Sequence, residues 1–466
     1  MYRPGIAGNI CTMKIAEELI HKYNVPAPRY TSYPTVPFWE DESIDTKDWL
    51  SVVKRTFDES NDSQGISLYI HLPYCESLCT YCACNTRITK NHNVEESYID
   101  SLLNEWNTYL HTFEKRPLIR EIHLGGGTPT FFSTQNLKLL MSRLLETVDL
   151  HQDYAFSFEG HPNNTTREHL QSLYDVGFRR VSYGVQDLDL KVQQTINRLQ
   201  PFENVARATQ DAREIGYTSV NFDLIYGLPF QTEDSVLNTI DQVLQLKPDR
   251  IAFYSYAHVP WKRPGQRAYT EADLPDNNAK RKLYEVGKKT LLSHNYIDVG
   301  MDHFALKGDE LYEAYVRKTM FRNFMGYTTA QTDLLIGLGT SAISDAKYAY
   351  AQNEKVVEKY KETVESGDLA LNKGHFLTSE DRIIRQFIID IACTGEARWH
   401  NYPQLLDFNM NIALLTMAQE GLIQLYATGL RVTPLGMAFL RNICMVFDKR
   451  LADRGEMTNQ LFSKAI

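Results

Sequence analysis

The stretch "LYIHLPYCESLCTYCACN", Leu68 to Asn85, changes character halfway along. Its first half is apolar and β-branched or aromatic, as in a buried strand, and its second half packs Cys75, Cys79, Cys82 and Cys84 into ten residues. A strand that runs into a ligand loop predicts chemistry at the strand's C-terminal end. The arrangement recurs downstream: "EIHLGGGTP", "FSFEGHP", "RRVSYGVQ", "SVNFDLIYGLP" and "RIAFYSYAHVP" are strand candidates that end in glycine or polar residues. Between the first two strands, "VEESYIDSLLNEWNTYLHTF" carries Tyr98, Leu102, Trp106, Tyr109 and Leu110 on one helical face. Six strands, each followed by a helical stretch, imply parallel neighbours, because parallel pairs need crossover connections. A doubly wound sheet shares this rhythm, but polar residues at the end of every strand favour an α/β fold of a partial (β/α)6, TIM-like barrel with its chemistry on one rim.

Composition narrows the remaining classes. The 466 residues are 43% hydrophobic and 23% charged, enough for a large core, and the net charge of −9 argues against a nucleic-acid binder. No apolar run reaches the ~18 residues of a membrane span, and "MYRPGIAGNICTMK" lacks the apolar core of a signal peptide, so no membrane partner and a cytoplasmic location are expected. Of the seven cysteines, four cluster while Cys11, Cys393 and Cys444 are scattered, which is unlike a disulfide framework. Residues 1–65 read as an N-terminal extension, with a helix in "TMKIAEELIHKYN" and an extended strip in "VPAPRYTSYPTVPFW". The barrel is expected over 66–305, with 306–375 capping it or extending its sheet. Residues 376–466 read as a mostly helical, winged-helix-like domain whose mixed charge suits a structural lid better than a DNA reader.

In Cys75-x3-Cys79-x2-Cys82, one loop can present three thiolates around a small body. A [4Fe-4S] cube held by three cysteines keeps one iron open for another ligand, whereas structural zinc usually closes with four ligands in two separated pairs, and no second pair is present. The run Gly125, Gly126, Gly127, Thr128 lets backbone approach a ligand closely, although such runs also simply make turns; no Gly-Lys-Ser/Thr follows, so it is not a phosphate loop. Glu159 and Gln186 end the third and fourth strands, Asp223 lies in the fifth, and Arg198 follows the fourth. Each is either a rim ligand or an ordinary polar group.

Taken together, "LYIHLPYCESLCTYCACN", "LGGGTPT", "YGVQDLD", "INR", "NFDLIYGLP" and "YAHVP" resemble, in order and spacing, radical S-adenosylmethionine enzymes of the oxygen-independent coproporphyrinogen III oxidase type. "KYNVPAPRYTSYPT", "GMDHFA", "FRNFMGYTT", "GTSAIS", "YAQNEK" and "RNICMVFD" extend the resemblance over nearly the whole chain. It implies that Cys75, Cys79 and Cys82 hold a [4Fe-4S] cluster whose open iron is chelated by S-adenosylmethionine. A 5′-deoxyadenosyl radical would then take hydrogen from the β-carbon of a substrate propionate, after which carbon dioxide leaves and a vinyl group remains. The resemblance assigns Tyr69, which it also implies in catalysis, with Gly126, Glu159 and Ile343 to one S-adenosylmethionine. To a second it assigns Tyr81, Gly127, Thr128, Gln186, Arg198, Asp223 and Ala257. The implied partners are a tetrapyrrole substrate, an electron donor and an electron acceptor, with the chain a monomer.

Two features sit outside the pattern. After Glu159 the chain has His161 where the family often has an acid, and Cys84 is left over as a non-ligand. Substrate carboxylates call for guanidinium groups, and Arg29, Arg263, Arg267 and Arg322 stand in loops beside aromatics. The rival readings are a haem-carrying or haem-degrading relative, which the strip "PRYTSYPT" and Cys84 argue against, and a zinc module.

Overall fold

The structure, a computed structural model, describes residues 17–39, 44–452 and 462. It divides into two compact units, one of Thr31–Arg385 and one of Met1–Tyr30 with Gln386–Ile466. All six anticipated strands form in the larger unit: β1 (Ile66–Leu72), β2 (Leu118–Gly126), β3 (Asp149–Gly160), β4 (Phe178–Gln186), β5 (Ser219–Tyr226) and β6 (Arg250–Ser255). Each pairs in parallel with the next, in chain order. A doubly wound sheet reverses its strand order at a switch point; here the order runs one way, as in a barrel.

Among the described residues the barrel does not close. Beyond β6 a hairpin of β7 (Tyr296–Gly300) and β8 (His303–Leu306) adds antiparallel through β8. On the other side, β9 (Leu335–Leu338) lies parallel to β1, and β10 (Ile343–Asp345), β11 (Ala349–Asn353) and β12 (Leu371–Phe376) follow antiparallel. Within 306–375, the strands from Leu335 onward extend the sheet, while Phe321–Asn323 and Gly326–Thr328 pair as a separate hairpin. The outcome is a 12-stranded sheet with two free edges.

Packing follows the apolar periodicity. Tyr98, Leu102, Trp106 and Tyr109 of the helix Val94–Thr112 are each at most 1% exposed, with Leu110 partly buried beside them. Sequence reading passed over the helix Thr46–Gln64, because charged residues interrupt its face. Asp45 nonetheless caps it, accepting from the N–H groups of Lys47 and Asp48, and Trp49, Val53 and Phe57 are fully buried. The strip before it has no α-helix, only a 3-10 turn at Val36–Phe38, and Trp39 stacks on Tyr350 with ring centroids 5.1 Å apart.

The N-terminal extension divides between the two units. In the smaller unit, Glu17–Tyr23 is helical; the rest of the anticipated helix, before Glu17, lies outside the described residues. Arg441 donates to the carbonyls of Ala27 and Pro28, which ties this segment to the C-terminal part. Here three short strands, Glu396–Arg398, Ile423–Tyr426 and Gly429–Val432, and the helix Phe408–Gln419 give the outline of a winged helix. Among the described residues no helix is long and apolar enough to cross a membrane.

Candidate active site

The cysteine loop leaves β1 and is fastened on two sides. The Gly127 and Thr128 N–H groups donate to the carbonyls of Leu72 (2.8 Å) and Tyr74 (3.0 Å), and a short parallel pair, Tyr74–Cys75 with Arg87–Ile88, closes its base. On the far side Thr80 N–H donates to Ile196 O at 2.9 Å and Asn197 Nδ2 to Leu78 O at 2.7 Å. Between these anchors the chain curls, with Cys82 N–H on Cys79 O at 3.1 Å. Cys75, Cys79 and Cys82, all free and partly exposed, line one cavity of about 650 Å³.

The same cavity gathers Tyr81, Gly126, Gly127 and Thr128 with Glu159 of β3, Gln186 of β4, Arg198 after β4 and Asp223 within β5. Among the described residues no three His, Cys, Asp or Glu converge as ligands of a single metal ion. A cube takes one thiolate per iron, so its ligands are spread round a body instead of meeting at a point. Cys84 lines the same volume, and the three thiols in the x3–x2 spacing, Cys75, Cys79 and Cys82, fit a [4Fe-4S] cluster that keeps one iron open. Arg198 adds a donor, its Nη1 standing 3.5 Å from Cys79 Sγ.

Close approach explains the glycines. A Cβ on Gly127 would come 2.6 Å from the Pro73 carbonyl oxygen, and one on Gly126, whose φ is +118°, would press on the His71 ring. Gln186 takes the left-handed region at φ +65°, beside a register shift between β4 and β5. An amide side chain held in that conformation at a rim marks a position that the surrounding fold dictates. Burial, with Glu159 nearby, raises the Asp223 carboxyl to about 6, while Ser182 Oγ (2.9 Å) and Asn221 Nδ2 (3.0 Å) donate to it.

Tyr69, Ala257 and Ile343 do not line the cavity. Tyr69 stands behind it: a Cβ at Gly125 would meet Tyr69 Cε2 at 3.0 Å and Glu159 Oε1 at 3.1 Å. Its hydroxyl shares a 3.1 Å hydrogen bond with His71 Nδ1, and burial pushes its pKa well above 10, so it remains a neutral phenol. Ile343, in β10, packs beside Trp39 and Tyr350. Ala257 is linked to Tyr81 by the fully buried Gln266, whose Nε2 donates to both carbonyls at 3.2 and 3.1 Å.

Three residues went unnoticed in the sequence. His71 donates from Nε2 to Asn85 O at 2.9 Å, which leaves Nδ1 to accept from Tyr69 and pins the far end of the cysteine loop. His123 stacks on Tyr69, sits 2.8 Å from Ser157 Oγ and reaches Glu159 Oε1 at 3.4 Å. Gln266 is the third. Both histidines lie within β-strands, where period-two patterning alone does not tell a rim partner from a core residue; Gln266 lies in a 3-10 turn and carries no motif.

His161 lines the cavity, accepts the Asn163 N–H at Nδ1 (3.1 Å) and is held neutral by burial, its pKa pushed down to about 2. Cys84 is exposed and hydrogen-bonded to Cys82, which lowers the Cys82 thiol to about 6. Of the four arginines, Arg267 donates to Pro260 O in its own loop at 3.1 Å, Arg322 is buried with its guanidinium 4.6 Å from the Tyr327 ring centroid, and Arg29 belongs to the smaller unit. Arg263 is near enough to favour the Cys82 thiolate.

A partial parallel barrel carrying three thiols on the loop after its first strand, with a glycine rim at its second, defines a radical S-adenosylmethionine protein. The Radical SAM superfamily matches residues 69–243. Curated relatives include oxygen-independent coproporphyrinogen III oxidases of Pseudomonas aeruginosa, 37% identical over 98% of this chain and 99% of theirs, and of Escherichia coli K12, 37% identical over 96% and 98%. The solved coproporphyrinogen III oxidase HemN from Escherichia coli, described as a radical SAM enzyme, superposes with a TM-score of 0.86 at 35% identity, covering 94% of this chain and 99% of that one. The chain belongs to the oxygen-independent coproporphyrinogen III oxidase family. Membership implies a [4Fe-4S] cluster and S-adenosylmethionine as cofactors.

Proposed function

We propose that the chain converts two propionate side chains of coproporphyrinogen III to vinyl groups without oxygen, giving protoporphyrinogen IX, with Cys75, Cys79 and Cys82 holding the cluster. When bound, the cluster and S-adenosylmethionine supply reductive cleavage of the sulfonium and a radical able to abstract hydrogen. Each propionate loses a hydrogen atom, carbon dioxide and one electron, so an external electron acceptor completes the reaction. The protein's part is to position the reactants and exclude water. Arg198 is fixed against Cys79 and the Gly184 carbonyl, Gly126 and Gly127 let the rim of β2 pack closely on His71 and on the Pro73–Tyr74 backbone that leads into the cysteine loop, and Tyr81 is held to Ala257 through Gln266.

The observation that carries this reading is the single cavity in which the three thiols meet Glu159, Gln186, Arg198 and Asp223, in a chain similar over nearly its full length to coproporphyrinogen III oxidases. Two S-adenosylmethionine molecules are part of the proposal, and the sheet supports it. Tyr69, Gly126, Glu159 and Ile343 lie on β1, β2, β3 and β10, whereas Gln186, Arg198, Asp223 and Ala257 lie on or just after β4, β5 and β6. Tyr81, Gly127 and Thr128 complete the second set from the cysteine loop and the β2 end.

Reconstituted chain incubated anaerobically with S-adenosylmethionine, a reductant and coproporphyrinogen III should form 5′-deoxyadenosine and a product lighter by two formic acid equivalents, that is, two carbon dioxides and four hydrogens in all. Absence of both products would redirect the reading to a haem-trafficking relative.

A further inference from the structure

A second, smaller cavity of about 150 Å³ lies in the barrel interior and shares Glu159, Ser182, Asp223 and Tyr254 with the larger one. Two arginines face it, Arg180 on β4 and Arg250 at the start of β6, each with a side chain only 12% exposed. Arg180 Nη2 has two long contacts, 3.5 Å to Glu121 Oε1 and 3.4 Å to Ser157 Oγ, while its Nε and Nη1 have no partner among the described residues. Arg250 is paired through Nε with Asp309 Oδ1 at 2.7 Å, but its Nη2 also has none. The nearby acids are already engaged. Glu121 accepts from Thr328 Oγ1 at 2.7 Å, and Asp309 accepts from Ser219 Oγ at 2.9 Å and Leu311 N–H at 2.7 Å.

Buried guanidinium donors without acceptors are costly, and a planar fork of N–H groups is matched by a carboxylate. Glu121 and Asp309 balance the two positive charges and the carboxyls of Glu159 and Asp223 also line the chamber, so an incoming anion gains hydrogen bonds but no net attraction. That favours a carboxylate carried on a larger ligand over a free one. We propose that Arg180 and Arg250 are positioning residues whose chamber receives a propionate carboxylate of the tetrapyrrole while the rest of the substrate occupies the larger cavity. This assignment rests on the function proposed above.

The test is equilibrium dialysis of the reconstituted full chain with coproporphyrinogen III, anaerobically and without S-adenosylmethionine so that nothing turns over, using wild type, Arg180→Gln and Arg180→Lys. A thermal-shift arm compares sodium propionate with sodium chloride at equal ionic strength. Arg180→Gln should raise the dissociation constant at least about tenfold, the loss of one charge-assisted hydrogen bond, and Arg180→Lys less. If Arg180→Gln does not fold, Arg180→Lys alone decides. Propionate stabilisation that depends on Arg180, with tetrapyrrole affinity unchanged, overturns the assignment to the substrate propionate and makes a free carboxylate the chamber's ligand. Unchanged tetrapyrrole affinity with no Arg180-dependent propionate effect overturns the proposal and leaves water as the occupant. If wild type binds no coproporphyrinogen III, the functional reading fails by itself, and the propionate arm still decides the chamber: stabilisation lost with Arg180 upholds it, and none overturns it.

Discussion

Arg198 Nη1 donates to Cys79 Sγ across 3.5 Å, joining the segment after β4 to the middle thiol of the loop after β1. Nη2 of the same guanidinium is on the Gly184 carbonyl at 2.5 Å, so the side chain is fixed at two points. A donor to a cluster thiolate stabilises the reduced, more negative state and raises the potential. Arg198→Gln is therefore expected to keep iron content near wild type while making the cluster potential more negative and slowing 5′-deoxyadenosine formation by about 10–100-fold, typical for loss of an outer partner. Redox titration followed by electron paramagnetic resonance checks it; an unaltered potential would remove the thiolate role.

The four clustered cysteines should behave as three and one. All four line the cavity, but Cys75, Cys79 and Cys82 are partly exposed thiols in the x3–x2 spacing, while Cys84 is exposed and hydrogen-bonded to Cys82. Cys84→Ser should retain close to the wild-type iron and sulfide content after anaerobic reconstitution, and Cys79→Ser should lose nearly all of it. Equal losses would mean that the division is mistaken.

Much of this was legible in the sequence because strand burial and ligand placement leave strong local marks. All six barrel strands could be read from their apolar runs, and the three thiols from their spacing. Sheet closure could not, since it depends on edges: β9 to β12 come from a turn-rich stretch whose short strands are recognisable only once β9 has paired with β1. The helix Thr46–Gln64 was missed because its apolar face is narrow and interrupted by charge. His71, His123 and Gln266 act through contacts with residues 14, 34 and 185 positions away, and no local pattern carries such pairings. Arg180 carries no local mark in the sequence, because only the fold buries it in one chamber with Arg250.

Gly127 should tolerate no side chain. The Cβ of Gly127→Ala would stand 2.6 Å from Pro73 O and 2.8 Å from Tyr74 O, both backbone atoms of the segment leading into the cysteine loop. Relief requires that segment to move, so a stability loss of about 1–3 kcal/mol, as for overpacking, is expected together with poorer iron retention. Gly265→Ala is the control, because its nearest neighbour would be the flexible end of Leu78 at 3.3 Å. Melting temperature and iron content measured in parallel on the two variants test the contrast, and equal effects would count against the crowding argument.

Glu105 predicts a pH dependence of stability. This fully buried carboxyl accepts from Tyr360 OH (2.6 Å), the Gly339 N–H (2.8 Å) and Asn353 Nδ2 (2.6 Å), linking the helix Val94–Thr112 to the end of β9, to β11 and to the helix Val357–Glu365. Burial outweighs those donors and raises its pKa from 4.5 to about 7. Between these values the folded chain holds a proton that the unfolded chain has released. Stability from this group is therefore greatest at acid pH, falls as pH rises through the window and levels off above about 7, a change on the order of 3 kcal/mol. Glu105→Gln has no such proton and loses acceptor capacity, so it should be less stable throughout. The melting-temperature gap between wild type and Glu105→Gln should narrow steadily from pH 5 to pH 7 and then stay constant, whereas a gap independent of pH would show that the carboxyl is already ionised in the folded chain across that range.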